Sequence, residues 1–478
     1  MDQSRMPLVE ALNKFKKQDP VSYHVPGHKN GLLDQSGFFG EMGSLDVTEL
    51  IGLDDLHAPA GVIKDAMNLL RKHYQSQKSY FLINGSTVGN LTMILATCDP
   101  GNTVLVASNS HKSIINACSF SNVRPIFLEP FINKGSQTPQ GISVAVLKEA
   151  IQRYPEAKAI ILTYPSYYGH ACDIQTLIEK AQQSGLLVLI DEAHGAHLTL
   201  GPPFAESTLT MGADIVVHSA HKTLPALTMG SYLHIGTERV NKRKVERVLG
   251  MLQSSSPSYP IMASLDAARS YLATMTKQDI QYFLNYRKQL IRELSQSQEV
   301  IVIEADDPLK LILKINNFSG YELQRRLEQR RIYVELADPL QVLLILPLLK
   351  EGVLTSVDRI VQVVREIASE ERTTEQEPII SPQLAVQDSI KELAMPLQEV
   401  DNAPSEWIDI KETTGKIAAA SVIPYPPGIP FVISGERITG EKVFQLSKWI
   451  EKGLHFQGDQ LIHEGKIKVV RTMEESNE

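Results

Sequence analysis

Two short segments carry side chains that could do covalent chemistry together. Ser219-Ala220-His221-Lys222-Thr223 sets one lysine among hydroxyl and imidazole groups. Asp191-Glu192-Ala193-His194-Gly195 sets a carboxylate at the end of the apolar run Leu186 to Ile190. A lysine with neutral neighbours can be desolvated, which lowers its proton affinity and frees the amine to attack an aldehyde. A carboxylate closing an apolar run either caps a helix or faces a cation, and a protonated ring nitrogen is one such cation. A Schiff-base lysine and an acid that keeps a pyridinium protonated are the two groups a pyridoxal phosphate enzyme needs most.

Other segments fall into the same frame. Gly85-Ser86-Thr87-Val88-Gly89-Asn90 follows an apolar run and opens a helical pattern, so its small residues and free N–H groups suit a phosphate. Such a turn also serves simply to cap a helix. His111, in Ser110-His111-Lys112-Ser113, follows another apolar run. It is either a surface residue or a flat ring able to stack on a heterocycle. Asp-Glu-Ala-His also occurs as a helicase box, but no Gly-rich loop ending in Gly-Lys-Ser or Gly-Lys-Thr accompanies it. The histidine pairs His24/His28, His194/His197 and His218/His221 lie on different elements without a His-Glu-x-x-His helix, so no metal site is expected.

The elements that must position these groups can be read from periodicity. Ser79 to Ile83, Thr103 to Ala107, Arg124 to Leu128, Ala159 to Thr163, Leu186 to Ile190 and Asp214 to His218 are predicted strands. Val144 to Tyr154 and Ile174 to Ser184 are predicted helices between them. Continuous apolar strands alternating with helices imply an α/β fold with a mostly parallel sheet covered on both faces. Such sheets bind ligands at the carboxyl ends of their strands, where Thr163, Asp191 and Ser219 fall. From about residue 260 the pattern changes to long helices with strands expected at Leu309 to Lys314, Tyr333 to Leu336 and Val342 to Pro347. The expected organisation is an N-terminal arm (1–58), a large domain (59–265), a small α+β domain (266–370), a polar linker (371–388) and a C-terminal domain (389–478). The last contains the rigid turn Tyr425-Pro426-Pro427-Gly428-Ile429-Pro430.

Bulk properties narrow the function class. The chain has 478 residues, 43% of them hydrophobic, and a net charge of −8, which argues against a nucleic-acid binder. Cys98, Cys118 and Cys172 form no CxxC spacing, and a sparse, odd count fits a reducing cytoplasm. No apolar run reaches a membrane span, and the N-terminus has no signal-peptide core.

Taken together, five collinear motifs resemble the bacterial Orn/Lys/Arg decarboxylase family, in the aspartate-aminotransferase-like branch (fold type I) of pyridoxal phosphate enzymes. They are His24-Val25-Pro26-Gly27-His28, Gly52-Leu53-Asp54-Asp55-Leu56-His57, Asp191 through His197, Ser219-Ala220-His221-Lys222, and the Pro-Pro-Gly turn with Gly435-Glu436. The match runs from about residue 7 to 460 and is most similar to the short Gram-positive form. The resemblance implies a mostly parallel seven-stranded sheet between helices, followed by smaller α+β domains. It implies that Lys222 bonds the cofactor, Asp191 holds its ring nitrogen, with Ala193 nearby, and His111 stacks on the ring. Gly85, Ser86, Thr87, Ser219 and His221 would hold the phosphate, and Ser255 would reach the phosphate of the neighbouring subunit. His194 would lie by the reacting carbon. By the same resemblance Glu436 would face the substrate side chain, and Asp54 and Asp55, in an acidic segment with Asp46 and Glu49, are further candidates for its distal cation. An active site shared between subunits implies a homodimer, or a tetramer built from it. The long members' wing domain is not expected here, nor is their decamer.

The implied reaction is α-decarboxylation of arginine, lysine or ornithine, feeding polyamine synthesis. An aminotransferase would instead anchor the substrate carboxylate with an arginine, and Arg269, Arg325 and Arg326 fall in no pattern that places them at the site. Another reaction on the same scaffold (transamination, or decarboxylation of a larger polyamine precursor) and a non-catalytic relative are the alternatives.

Overall fold

The computed structural model describes residues 2–370, 389–424, 428–451, 454–457 and 460–471. The expected linker at 371–388 and the first part of the Pro-Pro-Gly turn lie outside the described residues.

The central sheet is built from β1 (Lys78–Leu82), β2 (Thr103–Ala107), β3 (Arg124–Leu128), β4 (Ala159–Thr163), β5 (Leu187–Asp191), β6 (Ile215–His218) and β7 (Ser231–Ile235). Its order is β1-β7-β6-β5-β4-β2-β3, and a strand from the C-terminal part, Ile390–Glu392, adds antiparallel to the β3 edge. Pairing through β6-β5-β4-β2-β3 is parallel, while β7 is antiparallel to both its neighbours. Successive residues of β5 enter opposite cores: Val188 and Ile190 on one face, Leu187 and Leu189 on the other. Burial on both faces explains the unbroken apolar runs in the sequence.

Two outcomes differ from the periodicity reading. β7 was not singled out, because Ser231 and His234 interrupt its apolar run although both are fully buried. The sheet has eight strands and not the expected seven, since Ile390–Glu392 pairs with β3; three residues are too few to stand out from their polar surroundings in the sequence.

The helices that matter for the site are α1 (Pro7–Lys16), α2 (Val62–Tyr74), α3 (Gly85–Thr97) and α4 (Lys112–Ser121). α3 lies close on the sheet: a Cβ on Gly89 would come within 2.7 Å of Val217 and 2.8 Å of Leu82. A smaller antiparallel sheet follows, from β8 (Val300–Glu304), β9 (Lys310–Ile315), β10 (Leu336–Ala337) and β11 (Val342–Ile345), in the order β8-β9-β11-β10. Here β8 is additional to the expected strands, and the run expected from Tyr333 is ordered as strand only at its end. The C-terminal part pairs Ser405–Asp409 with Lys466–Val470 beside the helix Gly440–Glu451. Among the described residues no helix is long and apolar enough to cross a membrane.

Candidate active site

The carboxyl ends of β4, β5 and β6 gather the groups singled out above. Asp191 ends β5 opposite Thr163 of β4, and Ser219 follows β6 directly. Lys222 lies on the short helical turn Ala220–Thr223, which the chain enters as soon as it leaves the sheet. Burial lowers the Lys222 proton affinity, and Asp191 and Glu335 oppose that shift without reversing it. Its Nζ is 3.2 Å from His194 Nε2 and 5.4 Å from the centre of the Tyr167 ring.

Asp191 is 3% exposed and is held by polar groups from two directions. Asn90 Nδ2 donates to Oδ2 at 2.9 Å, and the Ala193 N–H donates to Oδ1 at 3.2 Å. The same Asn90 amide donates to Ser113 Oγ at 2.8 Å, and Ser113 Oγ is 2.8 Å from His111 Nδ1. A continuous chain therefore links Asp191 to His111 through α3 and α4. The Ser113 backbone N–H donates to His111 Nδ1, which makes Nδ1 an acceptor and leaves the ring proton on Nε2. Burial lowers the His111 proton affinity, with Lys222 and Lys112 reinforcing it against Asp191. Asn90 was not foreseen as a site residue. Its signal was a polar amide on the inward face of an otherwise apolar helix.

The candidate phosphate site is the start of α3. Gly85 takes φ +79°, a conformation that favours glycine, and the N-cap Asn84 makes no side-chain bond to the first turn. The first-turn N–H groups therefore remain available to an anion. Ser219 Oγ donates to Ser86 Oγ at 2.8 Å, so hydroxyls from both sides of the expected phosphate position converge. His221 Nδ1 is 2.9 Å from the Gly230 carbonyl, which only a donor can satisfy. His221 can then donate to a phosphate only as imidazolium, against the burial that lowers its proton affinity. Ser255 is exposed in the single chain, on a loop whose Ser254 N–H reaches Asn84 Oδ1 at 3.4 Å.

These residues fit pyridoxal phosphate on structural grounds. Asn109 Oδ1, Ser110 Oγ and Thr163 Oγ1 are buried at the carboxyl ends of the strands without hydrogen-bond partners among the described residues. A polar ligand carrying both donors and acceptors suits that lining. Lys222 would supply the amine, Asp191 the acid, and the start of α3 the anion site.

The residues expected to take a distal cation separate. Asp54 accepts backbone N–H groups from Asp55, Ala60, Gly61, Ile63 and Lys64 at 2.8–3.2 Å. Both its oxygens are spent anchoring the start of α2, so within the chain it is an anchor and not a free carboxylate. Asp55 accepts the His57 N–H at 2.7 Å, and Asp46 pairs with His28 at 3.1 Å. Glu436 lines a cavity of about 920 Å³ that also touches Asn109, Tyr167, Tyr321 and Trp449. Its carboxylate accepts the Ile433 N–H at 3.0 Å and pairs with Lys442. Gly428 does reach the site: the Lys112 N–H donates to its carbonyl at 3.1 Å, next to His111.

The arginines weighed as carboxylate anchors are engaged elsewhere. Arg269 is fully buried against Asp266 and the carbonyls of Gln3 and Arg5. Arg325 pairs with Glu322, and Arg326 with Glu322 and Glu370.

The chain is similar to known proteins over nearly its whole length. The Orn/Lys/Arg decarboxylase major domain matches residues 6–309, and the C-terminal domain of the same family matches residues 370–456. The uncharacterized protein YaaO of Bacillus subtilis is 44% identical, over 98% of this chain and 99% of its own length. An arginine decarboxylase of the same organism is 34% identical, over 98% of this chain and 99% of its own. The crystal structure of the Francisella novicida lysine decarboxylase LdcF superposes with a TM-score of 0.82 at 20% identity, covering 97% of this chain and 81% of that one. The fold is thus that of these decarboxylases, and the chain belongs to the Orn/Lys/Arg decarboxylase family.

Proposed function

We propose that the chain is a pyridoxal-phosphate-dependent α-decarboxylase of a basic amino acid, with arginine the first candidate substrate. The observation that carries this is the desolvated Lys222 beside His194 on the sheet edge that also presents Asp191. The arginine preference rests on the relative named arginine decarboxylase, which aligns over nearly its whole length.

When bound, pyridoxal phosphate would supply an electron-accepting ring. Lys222 Nζ would be its covalent anchor, and Asp191, oriented by Asn90, would hold the proton on the ring nitrogen. Ser86, Thr87 and Ser219 would hold the phosphate, and His111 would stack on the ring. His194 Nε2 and Lys222 Nζ form the pair able to hand a proton to the α-carbon after the carboxylate departs. No arginine among those weighed is free to hold that carboxylate, and an unstabilised carboxylate is the easier one to expel. Glu436 takes the substrate's distal cation, with Lys442 standing where that cation would bind. Tyr167, which lines this cavity, has its ring centre 5.4 Å from Lys222 Nζ.

Ser255 completes the site of a second copy, which makes a cytoplasmic homodimer the working assembly. Exposed Val21, Tyr23, Leu33, Phe38, Met42 and Ile51 of the N-terminal segment support that assembly, because soluble monomers rarely expose so much clustered apolar surface.

Amine and carbon dioxide release, measured with the cofactor on arginine, lysine and ornithine side by side, tests the reading. One strongly preferred substrate and loss of turnover in Lys222→Ala are expected. Turnover that survives Lys222→Ala, or cofactor bound with none of the three consumed, would overturn it.

A further inference from the structure

A second lysine enters the site from the other sheet. Lys310 opens β9, is fully buried, and sends its Nζ out of the small sheet into the large one. Nζ is 2.8 Å from His194 Nδ1, 3.0 Å from the Tyr167 carbonyl and 5.6 Å from the centre of the Tyr167 ring. Its stem lies against Gly169, at φ +84°, where an added Cβ would meet Lys310 Cγ at 2.6 Å. The loop 164–170 is thus shaped to let this lysine pass.

His194, 4% exposed, therefore has a lysine on each ring nitrogen: Lys310 on Nδ1 and Lys222 on Nε2. An ammonium only donates, and a neutral imidazole has one donor and one acceptor. Two ammonium groups cannot both be satisfied by one neutral ring. The chain of three closes when one lysine is an ammonium and the other a free amine. The geometry puts the ammonium on Lys310, whose Nζ has a second acceptor in the Tyr167 carbonyl. Burial pushes Lys310 down to about 8, with Lys222 adding to it, against the attraction of Asp307 and of Glu335, which acts on both lysines; at neutral pH Lys310 therefore keeps its proton. The groups facing the triad are Asp307 with its partner His197, Glu335 with its partner Tyr167, and Asp191 and His221 beside Lys222. His194 itself stays neutral: burial and then both lysines hold its proton affinity well below the usual histidine value.

We propose that Lys310 is a positioning residue that acts through His194: its ammonium fixes the imidazole as the Nε2–H tautomer, whose N–H then holds Lys222 as a free amine. The proposal rests on the reading of Lys222 as the amine that captures the cofactor, and it adds a contribution from the small sheet.

The test begins with cofactor-free protein labelled with ¹⁵N in its histidine rings, and His194→Gln identifies the His194 signals by difference. Wild type should show Nδ1 unprotonated and Nε2 protonated at neutral pH. Lys310→Met should lose that preference, whereas Lys310→Arg, which keeps a donor-only cation, should retain it. In stopped-flow capture of pyridoxal phosphate at pH 7, Lys310→Met should be slower by about tenfold, equivalent to one unit in the Lys222 proton affinity. A wild-type His194 protonated on Nδ1, or a tautomer unchanged in a folded Lys310→Met, overturns the proposal. The wild-type spectrum decides even if that variant does not fold. An Nε2–H tautomer in a protein that never captures the cofactor would leave the triad standing and remove the functional reading. An Nδ1–H tautomer in an active decarboxylase would do the reverse.

Discussion

At the scale of single residues, the proposed site depends on holding one buried carboxylate in place at the carboxyl ends of the strands. Asp191 cannot rely on water, so its orientation comes from the Asn90 amide and the Ala193 N–H. A hydrogen bond to a charged group contributes about 1.5–3 kcal/mol, more than a neutral one. Asn90→Ala should therefore lower kcat by roughly ten- to a hundredfold while leaving KM within a fewfold, because in the proposed function Asn90 acts on the ring nitrogen's partner and not on the substrate's side chain. Steady-state kinetics at saturating cofactor check this. A change confined to KM would place Asn90 in substrate binding instead.

At the scale of elements, Asp54 and His73 show how α2 is fixed at both ends. Asp54 collects the N–H groups that α2 leaves open at its start. Asp54→Ala should destabilise the protein by roughly 0.5–2 kcal/mol, as loss of a cap does, with little change in the KM for the basic amino acid. Thermal melts paired with kinetics separate that outcome from a substrate-binding role, which would raise KM. Near the other end, His73 Nε2 lies 2.9 Å from Thr199 Oγ1, and burial, with Arg269 adding to it, pushes the imidazole down from 6.5 to about 4. The unfolded chain then binds a proton that the folded chain refuses between those values. Stability should fall as pH drops from 6.5 towards 4, by at most about 3 kcal/mol from this residue. Urea melts across that window should show a shallower slope in His73→Gln. The same elements show what the sequence made legible. β2, β3 and β4 could be placed to the residue because both their faces are apolar, and Lys222 and Asp191 stood out as polar breaks at the ends of such runs. Asn90 and Lys310 did not, because each is a buried polar group inside an element whose partner comes from a distant part of the chain. Asp54 misled for a related reason: an acidic cluster in sequence does not say whether its oxygens face a ligand or the backbone.

At the scale of the whole molecule, the question is which subunit serves which site. The loop bearing Ser255 rests on Asn84 of its own chain through Ser254, yet Ser255 itself is exposed and free to reach a second copy. The proposed dimer predicts that it acts across the interface. Replacing Ser255 by aspartate sets a negative charge against the phosphate, and replacing Lys222 by alanine removes the anchoring amine, so each homodimer should be inactive. In a mixed dimer, one site combines both lesions. The other joins the Lys222 of the Ser255→Asp subunit to the intact Ser255 of the Lys222→Ala subunit. Refolding the two variants together in equal amounts should then restore roughly a quarter of wild-type activity, because half the dimers are mixed and each carries one intact site. If Ser255 serves its own chain, every site in the mixture keeps a lesion and no activity returns. The exposed apolar segment gives the control: Tyr23→Asp combined with Phe38→Asp should shift the wild-type protein towards monomer in sedimentation and abolish the complementation, since neither site can be completed from within one chain.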